Sequence, residues 1–156
     1  MSRAPGLDAL PRNPLTDVSG ELAQLHGMWV EITRGGIYDL EQRGFAPLLP
    51  FISHRAAIVH VAGSNDPLQW IIQAFTADFD ALSNHSYVGS RFGQIPDADY
   101  TALIAPTLLA ARDRGIPLAH AVDGQLAGRR VQYEKITYPL HQNGLVEKLI
   151  TVSRKS

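Results

Sequence analysis

The chain has 156 residues, 45% of them hydrophobic and 19% charged, which provides for one domain with one core and excludes wholesale disorder. Lys and Arg number 14 against 15 Asp and Glu, so there is no general basic face of the kind that displaces counterions from a phosphate backbone, and no nucleic-acid partner is expected. The absence of cysteine removes disulfides, thiolate nucleophiles, iron–sulfur clusters and cysteine-ligated zinc together.

Residues 1–18 carry Pro5, Gly6, Pro11, Asn13 and Pro14 with few apolar side chains, and read as a flexible N-terminal arm. No apolar run of signal-core or membrane-span length occurs between Met1 and Gly20, so a cytoplasmic protein without a membrane partner is expected. Residues 19–156 form the single expected domain. It opens with a helix over about 20–34, capped by Ser19, whose stripe Leu22, Leu25, Trp29 and Ile32 recurs at three- and four-residue steps. The Gly35-Gly36 pair ends it. Ile37 to Pro50 reads as connecting structure with one short helical turn at most.

A hairpin follows. Ala56–Val61 is β-prone, Asn65-Asp66-Pro67 is turn chemistry, and Leu68–Phe75 is a second strand with Leu68, Trp70, Ile72 and Ala74 on one face. From Thr76 to Gly115 there is no strand character. Within that stretch Asp97 opens a helical pattern with Tyr100, Leu103, Ile104, Thr107, Leu108 and Ala111 on one side, and Pro106 predicts a kink or two abutting helices. Three strands close the chain: Ile116–Val122, a turn at Asp123-Gly124, Arg129–Tyr138 ending at Pro139, a turn at Asn143-Gly144, and Leu145–Val152. The expected fold class is therefore α+β, a five-stranded antiparallel sheet with a helical insertion on one face and an N-terminal flanking helix.

Particular residues narrow the choice among such folds. Tyr87-Val88-Gly89-Ser90-Arg91-Phe92, Arg114-Gly115-Ile116-Pro117-Leu118, Gly128–Glu134, and Tyr138-Pro139-Leu140 before Asn143-Gly144 come in the order of a PAS-like domain's connector and closing strands. From about Ala56 to Val152 the chain resembles the bacterial PAS-like family of stand-alone domains. It departs from the family after the second strand, where Phe75-Thr76-Ala77-Asp78-Phe79 replaces a usual Gly-Thr pair. The resemblance implies a sensory, ligand-binding or protein-interaction module in bacterial signal transduction, not an enzyme, acting through a separate output protein. It also implies a homodimer built on the flanking helix, with Leu22, Leu25, Trp29 and Ile32 as contact candidates; the same stripe serves equally to pack on the chain's own sheet.

The aromatic set falls on the two walls that enclose a PAS-type cavity. Trp70, Ile72, Phe75, Phe79, Tyr87, Phe92, Tyr100 and Tyr133 are the cavity candidates for a small apolar ligand, against the plainer reading that they fill a core. Six histidines are scattered without helical metal spacing, so no metal site is expected; His85 alone stands roughly where some haem-binding PAS domains place their axial ligand, and His60 and His120 fall on strands that can be neighbours. No cofactor is required by the sequence, and cysteinyl–flavin adduct chemistry has no residue to use. Ser83, His85 and Asp80 lack a nucleophile elbow and make no hydrolase. The rival reading is a cone-fold enzyme or binding protein of the nuclear-transport-factor type, with Asp78, Asp80 and His85 as a pocket acid–base set.

Overall fold

A computed structural model describes residues 20–52, 56–61, 63–75, 87–95, 98–126 and 129–155. The elements are α1 (Gly20–Thr33), β1 (Tyr38–Asp39), α2 (Leu40–Arg43), α3 (Leu49–Ile52), β2 (Ala56–His60), β3 (Ile71–Phe75), α4 (Ala98–Arg114), β4 (Leu118–Leu126), β5 (Arg129–Gln142) and β6 (Leu145–Lys155). Five strands form an antiparallel sheet in the order β3-β2-β6-β5-β4, and the two-residue β1 adds to the far end of β5 in parallel. The expected five-stranded sheet thus gains a sixth, short member.

Alternation along the strands divides the core into two layers. Ile136, Tyr138 and Leu140 of β5, with Ile150 and Val152 of β6, turn toward Leu22, Leu25 and Trp29 of α1. Tyr133 of β5, Leu149 of β6, and Leu118 and Val122 of β4 turn toward Ile104, Leu108 and Ala111 of α4. Helices therefore cover both faces. The α1 stripe of Leu22, Leu25 and Trp29 is buried against the chain's own sheet, with Ile32 half-buried beside it.

Several boundaries move for reasons that lie in the partner strands. Asp123-Gly124 is not a turn. β4 runs on to Leu126, with Asp123 opposite Gln132 and Gly124 opposite Val131. There the Asp123 carboxylate accepts from Arg130 at 3.0 and 3.1 Å, and a Cβ on Gly124 would stand 2.9 Å from Leu103 of α4, so the missing side chain admits the helix. β5 does not stop at Pro139. That residue falls between the last β4 pair, at Thr137, and the first β1 pair, at Leu140, an edge position that asks no ladder donor of it.

The second strand is also shorter than expected, because Pro67–Gln69 forms a 3-10 turn capped by the Asp66 carboxylate. Within β3 a bulge at Gln73 pairs Val59 with Ile72 but Ile58 with Ala74. Ala74 consequently joins the α1 layer while Ile72 stays in the α4 layer, so the expected common face of Trp70, Ile72 and Ala74 is broken. The helix Ala98–Arg114 is one element with Pro106 on its exposed side, not two abutting helices. The Asn143-Gly144 turn is as expected, both residues at positive φ (54° and 78°).

Candidate functional site

The side of the sheet facing α4 carries a polar row inside an apolar layer. Lys135 of β5 stands directly between His120 of β4 and Ser153 of β6. All three are buried; Lys135 is 1% exposed. One step along, Thr137 and Thr151 face each other and share a hydrogen bond of 3.3 Å. From the helix above, Thr107 accepts a hydrogen bond from Lys135 Nζ and donates its own hydroxyl to the Ile104 carbonyl at 2.6 Å.

An ammonium taken out of water without a counter-ion is held at a cost of several kcal/mol, so the group sheds its proton more readily. Burial pushes the Lys135 amine down to about 7. Among the described residues no carboxylate pairs with it, and the Ser153 hydroxyl has no partner. The row thus offers a buried amine that sheds its proton more readily than a free lysine and an unused hydroxyl on the adjacent strand, in a layer otherwise built from Val59, Ile104, Leu108, Leu118 and Leu149.

Apart from this row, a hollow lies on the sheet edge where Pro139 parts β4 from β1. It has a volume of about 360 Å³ and is walled by Trp29, Val30 and Thr33 of α1, the Gly115–Pro117 connector, and His141 of β5. Val30, Ile37 and Ile116 stand exposed at its rim. Beneath it His26 Nδ1 lies 3.2 Å from the Tyr138 hydroxyl, and burial lowers the His26 pKa while raising that of Tyr138. The His141 pKa is lowered by burial, against the opposing pull of Asp39.

Of the cavity candidates, Trp70, Ile72, Phe92 and Tyr133 are brought into the one layer under α4, with Tyr87 packed against it. Trp70 is fully buried there, its Nε1 donating to the Ser64 carbonyl at 2.8 Å and its ring under the Arg112 guanidinium. Phe75 and Tyr100 lie on β3 and α4, with side chains outside the described residues; Phe79, Asp78, Asp80, Ser83 and His85 lie outside them altogether. His60 and His120 are not neighbours, because β6 and β5 stand between their strands. Among the described residues no three His, Asp or Glu gather as metal ligands, and no helix is long and apolar enough to cross a membrane.

Sequence reasoning missed Lys135. Its signal was parity: it shares a face with Tyr133 and Thr137, while Ile136, Tyr138 and Leu140 fill the other, so β5 is covered on both sides.

The sheet order β3-β2-β6-β5-β4, with the β3-to-β4 crossover supplying the helix of one face, decides the architecture. The fold is PAS-like. No family model matches the sequence, and no curated protein matches it. Among solved structures, a light-oxygen-voltage domain from a flavin-analogue study is 16% identical at a TM-score of 0.49, over 70% of this chain and 82% of its own. The PAS domain of a protein from Colwellia psychrerythraea is 16% identical at 0.47, over 75% and 96%. The PAS domain of the histidine kinase ThkA is 16% identical at 0.45, over 65% and 98%.

Proposed function

We propose that this PAS-like chain is a sensory module that takes a small ligand on the α4-facing side of its sheet and passes the change to a separate output protein. The observation that carries this reading is Lys135. A buried, uncompensated amine lowers stability, and a chain under selection for stability alone would place Met or Leu there. Strongly perturbed titratable groups in protein interiors concentrate at working sites. A ligand seated against the row would change how α4 rests on β5, since Thr107 and Lys135 join the two. That is a two-state element of the kind that signalling domains use.

The exposed Val30, Ile37 and Ile116 around the edge hollow support a contact with a second chain, either the output protein or another copy in a homodimer. The acid–base candidates of the cone-fold reading, Asp78, Asp80 and His85, lie outside the described residues.

The experiment is native mass spectrometry of freshly purified protein, paired with ligand-observed NMR. A co-purified small molecule lost on denaturation supports the reading. A dry layer under α4, filled by side chains alone in a crystal structure, overturns it.

A further inference from the structure

The row around Lys135 has a definite chemical preference, and it rests on the ligand-binding reading just given. We propose that Lys135, with Ser153 and Thr107, forms an oxyanion site that takes the carboxylate of a small monocarboxylic acid, its apolar tail lying in the layer beneath α4. Lys135 Nζ has three N–H donors and gives one to Thr107, leaving two. Ser153, directly across the ladder, holds a buried hydroxyl without a partner among the described residues. A buried amine and a buried hydroxyl on adjacent strands suit an acceptor with two oxygens, one for each donor.

Charge decides which anion. One amine neutralises one carboxylate, whereas a phosphate dianion would leave net negative charge in an apolar layer. A metal cation is disfavoured by the amine itself, and a neutral ring would make no use of it. The titratable groups beside Lys135 on the described part of this face are His120 on β4 and Tyr133 on β5; the α4 residue that touches it, Thr107, is uncharged.

Binding of a carboxylate favours the ammonium form, so it draws a proton from solvent whenever the empty site is neutral. Because the empty amine titrates at about 7, uptake approaches one proton at pH 8 and above. The dissociation constant of the carboxylate should then rise about tenfold per pH unit above that point.

The test is isothermal titration of the full chain at pH 8, in two buffers of different ionisation enthalpy, with straight-chain carboxylates from acetate to decanoate and their primary amides as probes. Expected are binding of a mid-length carboxylate with uptake near one proton, at least tenfold weaker binding of its amide, and loss of carboxylate binding in Lys135→Met. Ser153→Ala, which keeps the lysine and is checked for native circular dichroism, should weaken the carboxylate about fivefold. Amide and carboxylate binding equally overturns the oxyanion site but leaves a ligand-binding module standing. Carboxylate binding without proton uptake, or surviving in both variants, does the same. Failure of every probe overturns the oxyanion site; if the native mass spectrum also lacks any co-purified molecule, the sensory reading falls with it.

Discussion

Lys135 Nζ donates to Thr107 Oγ1, and this contact joins the middle of β5 to the middle of α4 inside the layer that holds Ile104, Leu108, Leu118 and Leu149. The helix of the insertion is thus fastened to the sheet by a group whose charge is disfavoured by burial. A bond that strengthens when the amine is protonated, in a site that resists protonation, sets two demands against each other.

Removing the amine should therefore stabilise the fold. Lys135→Met keeps the length of the stem and places a thioether where an amine without a counter-ion stood, and we expect a gain of about 1–3 kcal/mol at neutral pH. Urea unfolding followed by fluorescence gives the number. A loss of stability instead would mean that the amine has a compensating partner in the folded chain.

The same group predicts a pH window. The folded amine titrates at about 7 and the unfolded one near 10.5, so between those values the unfolded chain binds more protons. Stability due to Lys135 should rise with pH across that window, by on the order of 1 kcal/mol per unit, and be flat below it. The difference between wild type and Lys135→Met, measured from pH 6 to pH 9, isolates this contribution from Lys148, whose pKa is also lowered by burial. Parallel curves would refute it.

His26 and Tyr138 make a second buried polar pair, on the α1 side. Tyr138→Phe leaves the His26 nitrogen without its partner and should cost about 1 kcal/mol. Burial holds the His26 pKa below its ordinary value of 6.5, so the unfolded chain takes up the proton first as pH falls. Stability should decline with acidity below that value, less steeply in His26→Phe. A double-mutant cycle with zero coupling between the two sites would show that they do not interact.

How much of this could be read in advance depended on whether a signal was local. The α1 stripe, the Ile104–Ala111 side of α4 and the Asn143-Gly144 turn are set by residues within a few positions of each other, and all three are where the sequence placed them. Asp123-Gly124 was misread as a turn because its role is settled by Arg130 across the ladder and Leu103 on the helix. Pro139 was misread as a stop because only the spacing of β4 and β1 along β5 shows that no donor is needed there. The Gln73 bulge and the burial of Lys135 are likewise decided by partners far along the chain. A lone lysine between aromatic and Thr positions carries no local mark of burial.

Gly115 carries a load that the sequence suggested only as a helix stop. It sits at φ +66°, and a Cβ there would meet His141 Nε2 at 3.4 Å. Gly115→Ala should cost about 1–2 kcal/mol from left-handed backbone strain, since the new methyl meets the histidine only at van der Waals distance. Thermal unfolding of Gly115→Ala beside Gly124→Ala separates the causes. At Gly124 the neighbour is the flexible Leu103 side chain and φ is not positive, so a smaller loss is expected. Equal losses would argue that backbone strain at Gly115 is absent.

Trp29 tests what α1 is for. Its ring centroid lies 4.4 Å from that of Tyr138, 5.4 Å from Tyr38 and 5.9 Å from Phe51, so it is the hub of the aromatic cluster between α1 and the sheet. Trp29→Ala should cost about 3–5 kcal/mol through the cavity it leaves, and its effect on any self-association should follow from that loss of fold. An interface through this region would instead use the exposed Val30, Ile37 and Ile116. Val30→Asp with Ile116→Asp should leave the urea midpoint nearly unchanged while lowering the mass seen in light scattering, if the protein is dimeric. A dimer that survives both charges would place its interface elsewhere on the molecule.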